Sequence, residues 1–256
     1  VDLFTRDNRS VQITPQGQAF LDYARNAVSE WDAIRHQVRD ATGQLQGEVS
    51  LYCSVTAVYS LLFDLFQRFR QDYPSIEIKL HTGDPDQGIA RVISGEEDFA
   101  IAAHPKTLPR ELAFKPITVS PLVFIAALDQ SNLEHPLITP KNAQQWAKMP
   151  MVLPEGGLSR ERIDAWFRAM DITPTVYAQV AGNEAIVTMV SLGLGIGVVP
   201  KIVLDNSPTI ERIQVLDVAP QLEAYDVGLL VLKKNLKNPL VNALWKLQVS
   251  LGPTLQ

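Results

Sequence analysis

The sequence has few of the residues on which metal centres and disulfides depend. Its 256 residues include one cysteine, Cys53, and four histidines. A single cysteine cannot form an intrachain disulfide, so we expect a reducing compartment, the cytoplasm. The four histidines do not have the spacing of metal ligands. We therefore predict that the chain carries no metal and no cofactor.

Recognisable catalytic machinery is also missing. The glycines at 193, 195 and 197 lie at a helix-to-strand turn, whereas the dinucleotide-binding fingerprint requires a strand followed by a helix. Glu155 and Glu184 are candidate acids, but no base partner is evident for either. The sequence therefore predicts a protein that is not an enzyme.

Long apolar runs and dense basic clusters are missing as well. The longest apolar stretch, residues 119–128, is broken by Ser120 and Pro121 and falls short of the roughly 18 residues of a membrane span, so no membrane contact is expected. A net charge of −5 without a basic run indicates weak DNA binding by this part alone. The first residues have neither a signal peptide nor an initiating Met, which predicts a start inside a longer protein.

The first residues that are informative predict a hairpin followed by a helix. Residues 3–13 have the composition of strand, turn and strand, with Asp7-Asn8 at the turn. An isolated hairpin is marginally stable, so it should belong to a larger domain. Thr14 is a good N-cap, and Pro15 suits the first helical position.

The predicted helix runs to about residue 42 and has a narrow apolar seam. Apolar residues recur at alternating spacings of four and three, the a/d pattern of a coiled coil. So narrow a seam favours pairing with a second copy, while packing on the helix's own domain is the alternative. We predict a homo-oligomer whose dimerisation seam contains Phe20, Ala24, Ala27, Trp31, Ile34 and Val38.

From residue 48 onward, strand and helix patterns alternate. Residues 48–55 predict a strand with Cys53 on its apolar face, and the apolar residues from Leu61 to Phe69 predict a helix. Residues 98–103 have the nearly continuous apolar centre of a strand that is covered on both faces. These repeated units imply an α/β fold with a mostly parallel sheet.

The loops that follow the predicted strands contain candidate ligand-binding residues. Ligands of open α/β sheets bind at the carboxyl ends of strands, and helix N-termini there favour anions such as a small carboxylate. Each polar residue has an alternative role as the cap of its own helix. As a set, we expect a binding site formed by Ser54, Val55, Thr56, Ala103, His104, Glu155, Gly156, Ser159 and Asn183.

Three motifs, in this order, resemble those of LysR-type transcription regulators. Residues 3–17 resemble the wing of that family's winged helix-turn-helix and the start of its linker helix. Residues 95–102, with Gly95, Asp98, Ala100 and Ile101, resemble its G-x-x-D-x-A-I strand entry. Residues 190–200, VSLGLGIGVVP, resemble its V-x-x-G-x-G segment, which ends in proline.

The resemblance implies a periplasmic-binding-protein-like sensor of two Rossmann-like subdomains. The first would comprise residues 47–118 and 224–256, and the second residues 119–223. Two crossover strands, near 118–121 and 217–221, would join them, with the effector in the cleft. Residues 1–13 would be the remnant of the wing, and residues 14–46 would be the linker and dimerisation helix.

Further segments resemble the members of the family that regulate isoleucine–valine biosynthesis. They are residues 53–60, 69–84, 166–168 and 203–208. This resemblance implies a small anionic effector, acetolactate or acetohydroxybutyrate. The hydroxyls of Ser54 and Thr56 would hold its carboxylate, and Val55 and Ala57 would suit its alkyl group. Some relatives carry a further hydroxyl at the position of Ala103, which this chain lacks.

Promoter DNA is the partner that the resemblance implies for the complete protein. The helix-turn-helix itself would precede Val1. Arg6 and Arg9 in the wing are candidates for contacts with DNA phosphates, which add affinity but no sequence readout. Two solvated arginines in a turn are the alternative. A free solute-binding protein would have similar lobes, but the seam and the wing argue against it.

Overall fold

The computed structural model describes residues 1–6, 10–39, 45–129 and 140–247. Strand β1 (Phe4–Arg6) pairs antiparallel with β2 (Val11–Ile13), which confirms the two predicted strands. The predicted turn at Asp7-Asn8 and the candidate DNA contact Arg9 lie outside the described residues. Arg6 is exposed at the end of β1.

Thr14 caps the long helix α1 (Pro15–Arg39), as the sequence predicts. Its side-chain oxygen accepts a hydrogen bond from the Gly17 N–H at 2.9 Å. The large seam residues of α1 are exposed, and its small ones are half-buried. The exposed residues are Phe20, Trp31 and Ile34, the half-buried ones are Ala24 and Ala27, and the Val38 side chain lies outside the description.

The rest of the chain alternates strands and helices, which confirms the predicted α/β class. In chain order the strands are β3 (Gly47–Cys53), β4 (Ile76–Thr82), β5 (Phe99–Ala103), β6 (Leu112–Ser120), β7 (Leu122–Ala127), β8 (Pro150–Pro154), β9 (Thr175–Val180), β10 (Ile196–Pro200), β11 (Ile213–Leu216) and β12 (Tyr225–Leu232). The helices are α2 (Val55–Leu61), α3 (Phe63–Asp72), α4 (Gly88–Ser94), α5 (Ala143–Lys148), α6 (Gly157–Ala169), α7 (Asn183–Ser191), α8 (Lys201–Asp205) and α9 (Pro239–Lys246). In the part of the chain that the structure describes, no helix is both long and apolar enough to cross a membrane.

The strands form two five-stranded sheets. The first has the order β4-β3-β5-β12-β6 and the second the order β11-β7-β10-β8-β9. We call the parts of the chain built on them the first lobe (residues 45–120 and 225–247) and the second lobe (residues 122–216). The predicted boundary at 223/224 falls in the irregular segment 217–224 that joins the sheets, whereas the one at 118/119 falls inside β6, and the division into domains stays a prediction.

The prediction of a mostly parallel sheet is wrong. In the first sheet, β3 runs parallel to β4 and β5, but β12 is antiparallel to both β5 and β6. In the second, β8 runs parallel to β9 and β10, while β7 is antiparallel to β10 and β11. Half of the pairings in the two sheets are therefore antiparallel. Each of them includes β7 or β12, the strands by which the chain enters the second lobe and returns to the first.

Two element boundaries also differ from the prediction. The strand predicted over 48–55 ends at Cys53, because Ser54 accepts a hydrogen bond from the Ala57 N–H at 3.3 Å and begins α2 there. The crossover strand predicted near 217–221 is wrong, since residues 217–224 form no regular secondary structure. Pro220 has no N–H to donate to a ladder, which disfavours a strand at this point. The first crossover is a strand as predicted, because β6 continues to Ser120.

The core of the first lobe packs α2, α3 and α9 against one face of its sheet. Val49, Leu51 and Cys53 lie on that face with no exposed surface. Burial raises the pKa of the Cys53 thiol to about 12, so the thiol stays protonated at neutral pH. This confirms the prediction that Cys53 lies on the apolar face of its strand.

In the second lobe, an aromatic cluster fixes α6 against the sheet and against the second crossover. The rings of Phe124, Trp146, Trp166 and Phe167 lie at centroid distances between 5.0 and 5.8 Å. The Trp166 indole N–H also donates a hydrogen bond to the Pro220 carbonyl at 2.7 Å. The irregular crossover is therefore attached to the core of the second lobe.

Two of the contacts that connect the lobes across the cleft lie at the start of α6. The Asp86 carboxylate of the first lobe occupies the space in which a Cβ atom on Gly157 would lie. The hydroxyls of Ser159 in α6 and Tyr225 in β12 are 3.2 Å apart. Both contacts involve the first turn of α6, so the position of this helix depends on the first lobe.

We expect Phe69→Ala to lower the free energy of unfolding by about 3–5 kcal/mol, because it removes a buried aromatic side chain and leaves a cavity. Phe63→Ala is the matched control on the same helix, since Phe63 is 70% exposed whereas Phe69 is 0% exposed. Urea denaturation should show a change within about 0.5 kcal/mol for the control. Similar losses in both variants would contradict the packing of α3.

We expect Gly157→Ala to destabilise the chain, whereas Gly156→Ala should be tolerated. Gly157 has a φ of +76°, and a Cβ there would overlap the Asp86 carboxylate. The left-handed conformation alone costs an L residue about 1–2 kcal/mol. Gly156 is extended, and a Cβ there meets nothing within 4 Å.

The measurement for this pair is the midpoint of thermal unfolding. At roughly 2–4 °C per kcal/mol for a chain of this size, Gly157→Ala should lower the midpoint by about 2–8 °C. Equal midpoints for the two variants would contradict the contact between Asp86 and Gly157.

Candidate functional site

A cavity of about 390 Å³ lies between the two lobes. Its walls come from the segments that follow β3, β4 and β5 in the first lobe and β8, β9 and β10 in the second. The carboxyl ends of parallel strands from both sheets therefore face the same space, which is where ligands of α/β sheets bind. Apolar side chains, Leu61, Ile101, Leu158 and Val203 among them, form part of the wall.

Seven of the nine predicted site residues line this cavity. They are Ser54, Thr56, Ala103, Glu155, Gly156, Ser159 and Asn183. Two others do not. Val55 is 51% exposed and is not among the residues of the wall. The His104 ring packs edge-on against Phe114 at 4.6 Å, and its backbone N–H donates to the Asp226 carbonyl, so it also lies outside the wall.

The failure of Val55 and His104 to line the cavity has a simple geometric cause. Along a helix, successive residues point about 100° apart, so the first residues of α2 cannot all face the cleft. Thr56 is 2% exposed and faces the second lobe, which leaves Val55 on the outside. His104 follows the last residue of β5, where side chains alternate between the two faces of the sheet.

The Thr56 side chain makes the most direct polar contact across the cleft. Its hydroxyl donates a hydrogen bond to Glu184 Oε1 at 2.7 Å, and its backbone N–H donates to the same oxygen at 3.0 Å. Glu184 lies in the first turn of α7, in the second lobe. Ser54, in contrast, caps α2, so of this pair only Thr56 reaches across to the other lobe.

The other predicted polar residues behave differently from helix caps. Ser159 lies inside α6 and its hydroxyl meets that of Tyr225, for which burial raises the pKa to about 12. Asn183 is the first residue of α7, and Gly182, with a φ of +85°, takes the capping position without a side-chain hydrogen bond. The cap alternative therefore holds for Ser54 and fails for Ser159 and Asn183.

The charges around the cavity are mostly negative. Carboxylates of Asp84, Asp86, Glu155 and Glu161 belong to the wall, and Lys106 is the only Lys or Arg among the described residues that line it. Desolvation in the cleft, followed by repulsion from Asp84 and Glu161, raises the pKa of Asp86 to about 6. A small anion in this cavity would therefore find one cation, the Thr56 donors and several carboxylates.

Sequence reasoning missed Lys106, Asp86, Tyr225 and the cross-cleft role of Glu184. Lys106 was within reach, because it follows the loop at 103–105 that the strand pattern indicates. Asp86 lies in a short helical turn that Asp84 caps by accepting a hydrogen bond from the Asp86 N–H. Contacts between lobes have no signature in the local pattern, so the other two could not be found that way.

Among the residues that the structure describes, no group of three or more His, Cys, Asp and Glu is arranged to hold a metal ion. The polar groups of the cavity instead comprise hydroxyls, backbone N–H groups, carboxylates and one ammonium. This set can bind and orient a small polar molecule.

Comparison with known proteins assigns the fold and the family. Residues 42–249 match the model of the LysR substrate-binding domain. The chain is 37% identical to the transcriptional regulator IlvY of Escherichia coli K12, over 96% of this chain and 83% of that protein. It is 39% identical to the transcriptional activator IlvY of Haemophilus influenzae, over 95% of this chain and 83% of that protein.

Among solved structures, the effector-binding domain of QuiR in complex with shikimate matches with a TM-score of 0.63. It is 21% identical and covers 78% of this chain and 94% of that one, so it bears on the fold alone. The match of the family model over most of the chain, with the identity to IlvY regulators over nearly all of it, confirms the family that the three motifs predicted. The chain belongs to the LysR-type transcription regulators.

Proposed function

We propose that this chain is the effector-sensing part of an oligomeric LysR-type activator, and not an enzyme, and that acetolactate or acetohydroxybutyrate binds between its lobes. The observation that carries the proposal is the interlobe cavity, with the buried Thr56 donors and the Lys106 ammonium in its wall. The identity to IlvY activators supports the choice of effector and a target gene of branched-chain amino-acid biosynthesis.

The chemistry of these effectors suits the wall of the cavity. Each has one carboxylate, a neighbouring hydroxyl and keto group, and short alkyl groups. Lys106 and the Thr56 donors are partners for the carboxylate, and Ser159 and Asn183 are partners for the hydroxyl and the keto oxygen. Leu61, Ile101 and Val203 would contact the alkyl groups. The volume of about 390 Å³ lies within the usual range for small-ligand sites.

Signalling would follow from a change in the relative placement of the lobes. An effector shifts such an equilibrium only if it binds one arrangement more tightly than the other. Helix α1 is attached to the first lobe, since Arg25 donates to the Ser94 carbonyl at 3.1 Å and lies 3.5 Å from Glu96. A rearrangement of the lobes would thus alter the position of the second lobe relative to α1.

Pairing of α1 with a second copy would form the oligomer. Phe20, Trp31 and Ile34 are each more than half exposed along one seam, and such residues are normally covered in a coiled coil. In the complete protein this pairing would hold two DNA-binding domains at a fixed spacing. Arg6 and Arg9 would then contact phosphates of promoter DNA.

A regulator that responds to another small carboxylate is the second candidate. It is favoured by the mixed wall of the cavity, because a single Lys106 ammonium and two Thr56 donors would accept many monoanions. Isothermal titration separates the two. Heat with acetolactate supports the first candidate, and its absence at millimolar ligand contradicts it.

We expect Lys106→Gln to weaken acetolactate binding roughly fivefold, which corresponds to about 1 kcal/mol for a partly solvated charge pair. The matched control is Lys148→Gln, because Lys148 is exposed in the second lobe and does not line the cavity. Titration calorimetry of both variants measures the change. An equal loss in both would show that overall charge, rather than the cavity, attracts the effector.

We expect acetolactate to bind more tightly at pH 5.5 than at pH 7.5. Asp86, with a pKa of about 6, is charged above that pH and protonated below it, so the effector faces one negative charge fewer in acid. Repulsion of about 1 kcal/mol would give roughly a fivefold difference. Asp84 and Glu161 face Asp86 and raise its pKa by repulsion, and Tyr225, whose own pKa burial raises to about 12, stays neutral at both pH values.

The control for this prediction is Asp86→Asn. The variant should bind at pH 7.5 as tightly as the wild type binds at pH 5.5, and it should lose the dependence on pH. Titration calorimetry at both pH values tests this. A dependence that persists in the variant would assign it to another group.

A further inference from the structure

The Glu184 carboxylate occupies the donors that the proposed effector needs. Both hydrogen bonds, from the Thr56 N–H at 3.0 Å and from its hydroxyl at 2.7 Å, go to a single oxygen, Glu184 Oε1. An N–H and an O–H each have one hydrogen to donate. A carboxylate of the effector can therefore use these donors only after Glu184 has left them.

Both the lack of space and the negative charge of the surroundings prevent the Glu184 carboxylate and the effector carboxylate from binding the Thr56 donors together. Thr56 is 2% exposed, so its donors lie at a closed point of the interface between the lobes. Asp84, Asp86, Glu155 and Glu161 already line the cavity, with Lys106 as the one cation among the described residues of the wall. A second anion beside Glu184 at the Thr56 donors would be repelled.

We propose that Glu184 is a built-in competitor of the effector, and that it sets the effector's affinity by occupying the Thr56 donors until an effector carboxylate displaces it. The inference rests on the proposed function of the same cavity. Because Glu184 belongs to the second lobe and Thr56 to the first, displacement also breaks a bond between the lobes. Effector binding and the cross-cleft bond therefore exclude each other, which gives the effector the preference for one arrangement that signalling requires.

The test is a titration of acetolactate into Glu184→Ala and Glu184→Gln. We expect Kd to fall about tenfold in the alanine variant, since a charge-assisted competitor is removed. In the glutamine variant we expect Kd to fall about threefold, because the amide oxygen still accepts a hydrogen bond but carries no charge. Glutamine also preserves the size of the side chain, so that variant guards against a loss of folding.

Glu161→Gln is the control for charge alone. Glu161 is also a glutamate and belongs to the wall of the cavity, but no hydrogen bond joins it to Thr56 in the described structure. We expect its Kd to fall less than twofold. An equal gain in Glu161→Gln and Glu184→Gln would overturn the inference, because the field of the cleft would then explain both.

A double-mutant cycle with Thr56→Val gives an independent measure. In the wild-type background, loss of the hydroxyl removes a bond both from the effector and from Glu184, so we expect Kd to change about twofold or less. In the Glu184→Ala background only the effector loses a bond, and we expect Kd to rise about tenfold. Equal effects in both backgrounds would contradict competition for the same donor.

The outcomes separate this inference from the proposed function. If the wild type binds acetolactate and Glu184→Ala binds it no more tightly, the competitor is refuted while the effector assignment stands. If no variant binds acetolactate at millimolar concentration, the effector assignment fails and the inference fails with it. Binding that is detectable only in Glu184→Ala supports both.

Discussion

The chain passes between the two lobes twice, and the rest of the architecture depends on these passages. The first is a single residue, Pro121, between β6 and β7, and it is held by a hydrogen bond from the Lys201 N–H to the Pro121 carbonyl at 2.8 Å. Ser120 beside it is 1% exposed. The second is the irregular segment 217–224, which Trp166 attaches to the second lobe. These two short connections keep the lobes adjacent.

Contacts across the cleft also influence how the lobes are arranged. Among them are the hydrogen bonds of Thr56 with Glu184, the pair of hydroxyls of Ser159 and Tyr225, and the packing of Asp86 against Gly157. A hydrogen bond of this kind is worth on the order of 1 kcal/mol net. The two chain connections therefore keep the lobes together, while weak contacts across the cleft influence their arrangement. A molecule that competes for those contacts can change that arrangement.

The sequence predicted the elements of this fold better than their pairing. The apolar alternation of β3 and the cap at Thr14 are local patterns, and both are present as predicted. Strand direction is not local: β12 and β7 are antiparallel to their neighbours because of where the chain crosses between lobes, and strand–helix alternation does not contain that information. The crossover strand near 217–221 was implied by the family resemblance alone, and Pro220, which has no N–H to donate, disfavours a strand there.

The candidate site shows the same division. Loops after strands were predictable, and seven of nine predicted residues line the cavity, whereas Glu184 was visible only as an acid without a base partner. In the structure, Glu184 accepts a hydrogen bond from Thr56, which lies 128 residues away in the chain.

The glycines at 193–197 were also noted in the sequence, where their order of helix and strand argued against a dinucleotide site. A Cβ at Gly197 would press on Val190, and one at Gly195 on the Pro150 carbonyl, so these two glycines allow close packing of β10.

The attachment of α1 to the first lobe connects the cleft to the predicted dimer. Arg25 reaches the Ser94 carbonyl at the end of α4, and α4 packs on the sheet face that carries Tyr52 and Ala102. Ala102 and Ile89, the latter in α4, both line the cavity, so α4 connects the wall of the cavity to the contact with Arg25. In the proposed function, the first lobe and α1 would form the stationary part, and the second lobe the part that an effector moves.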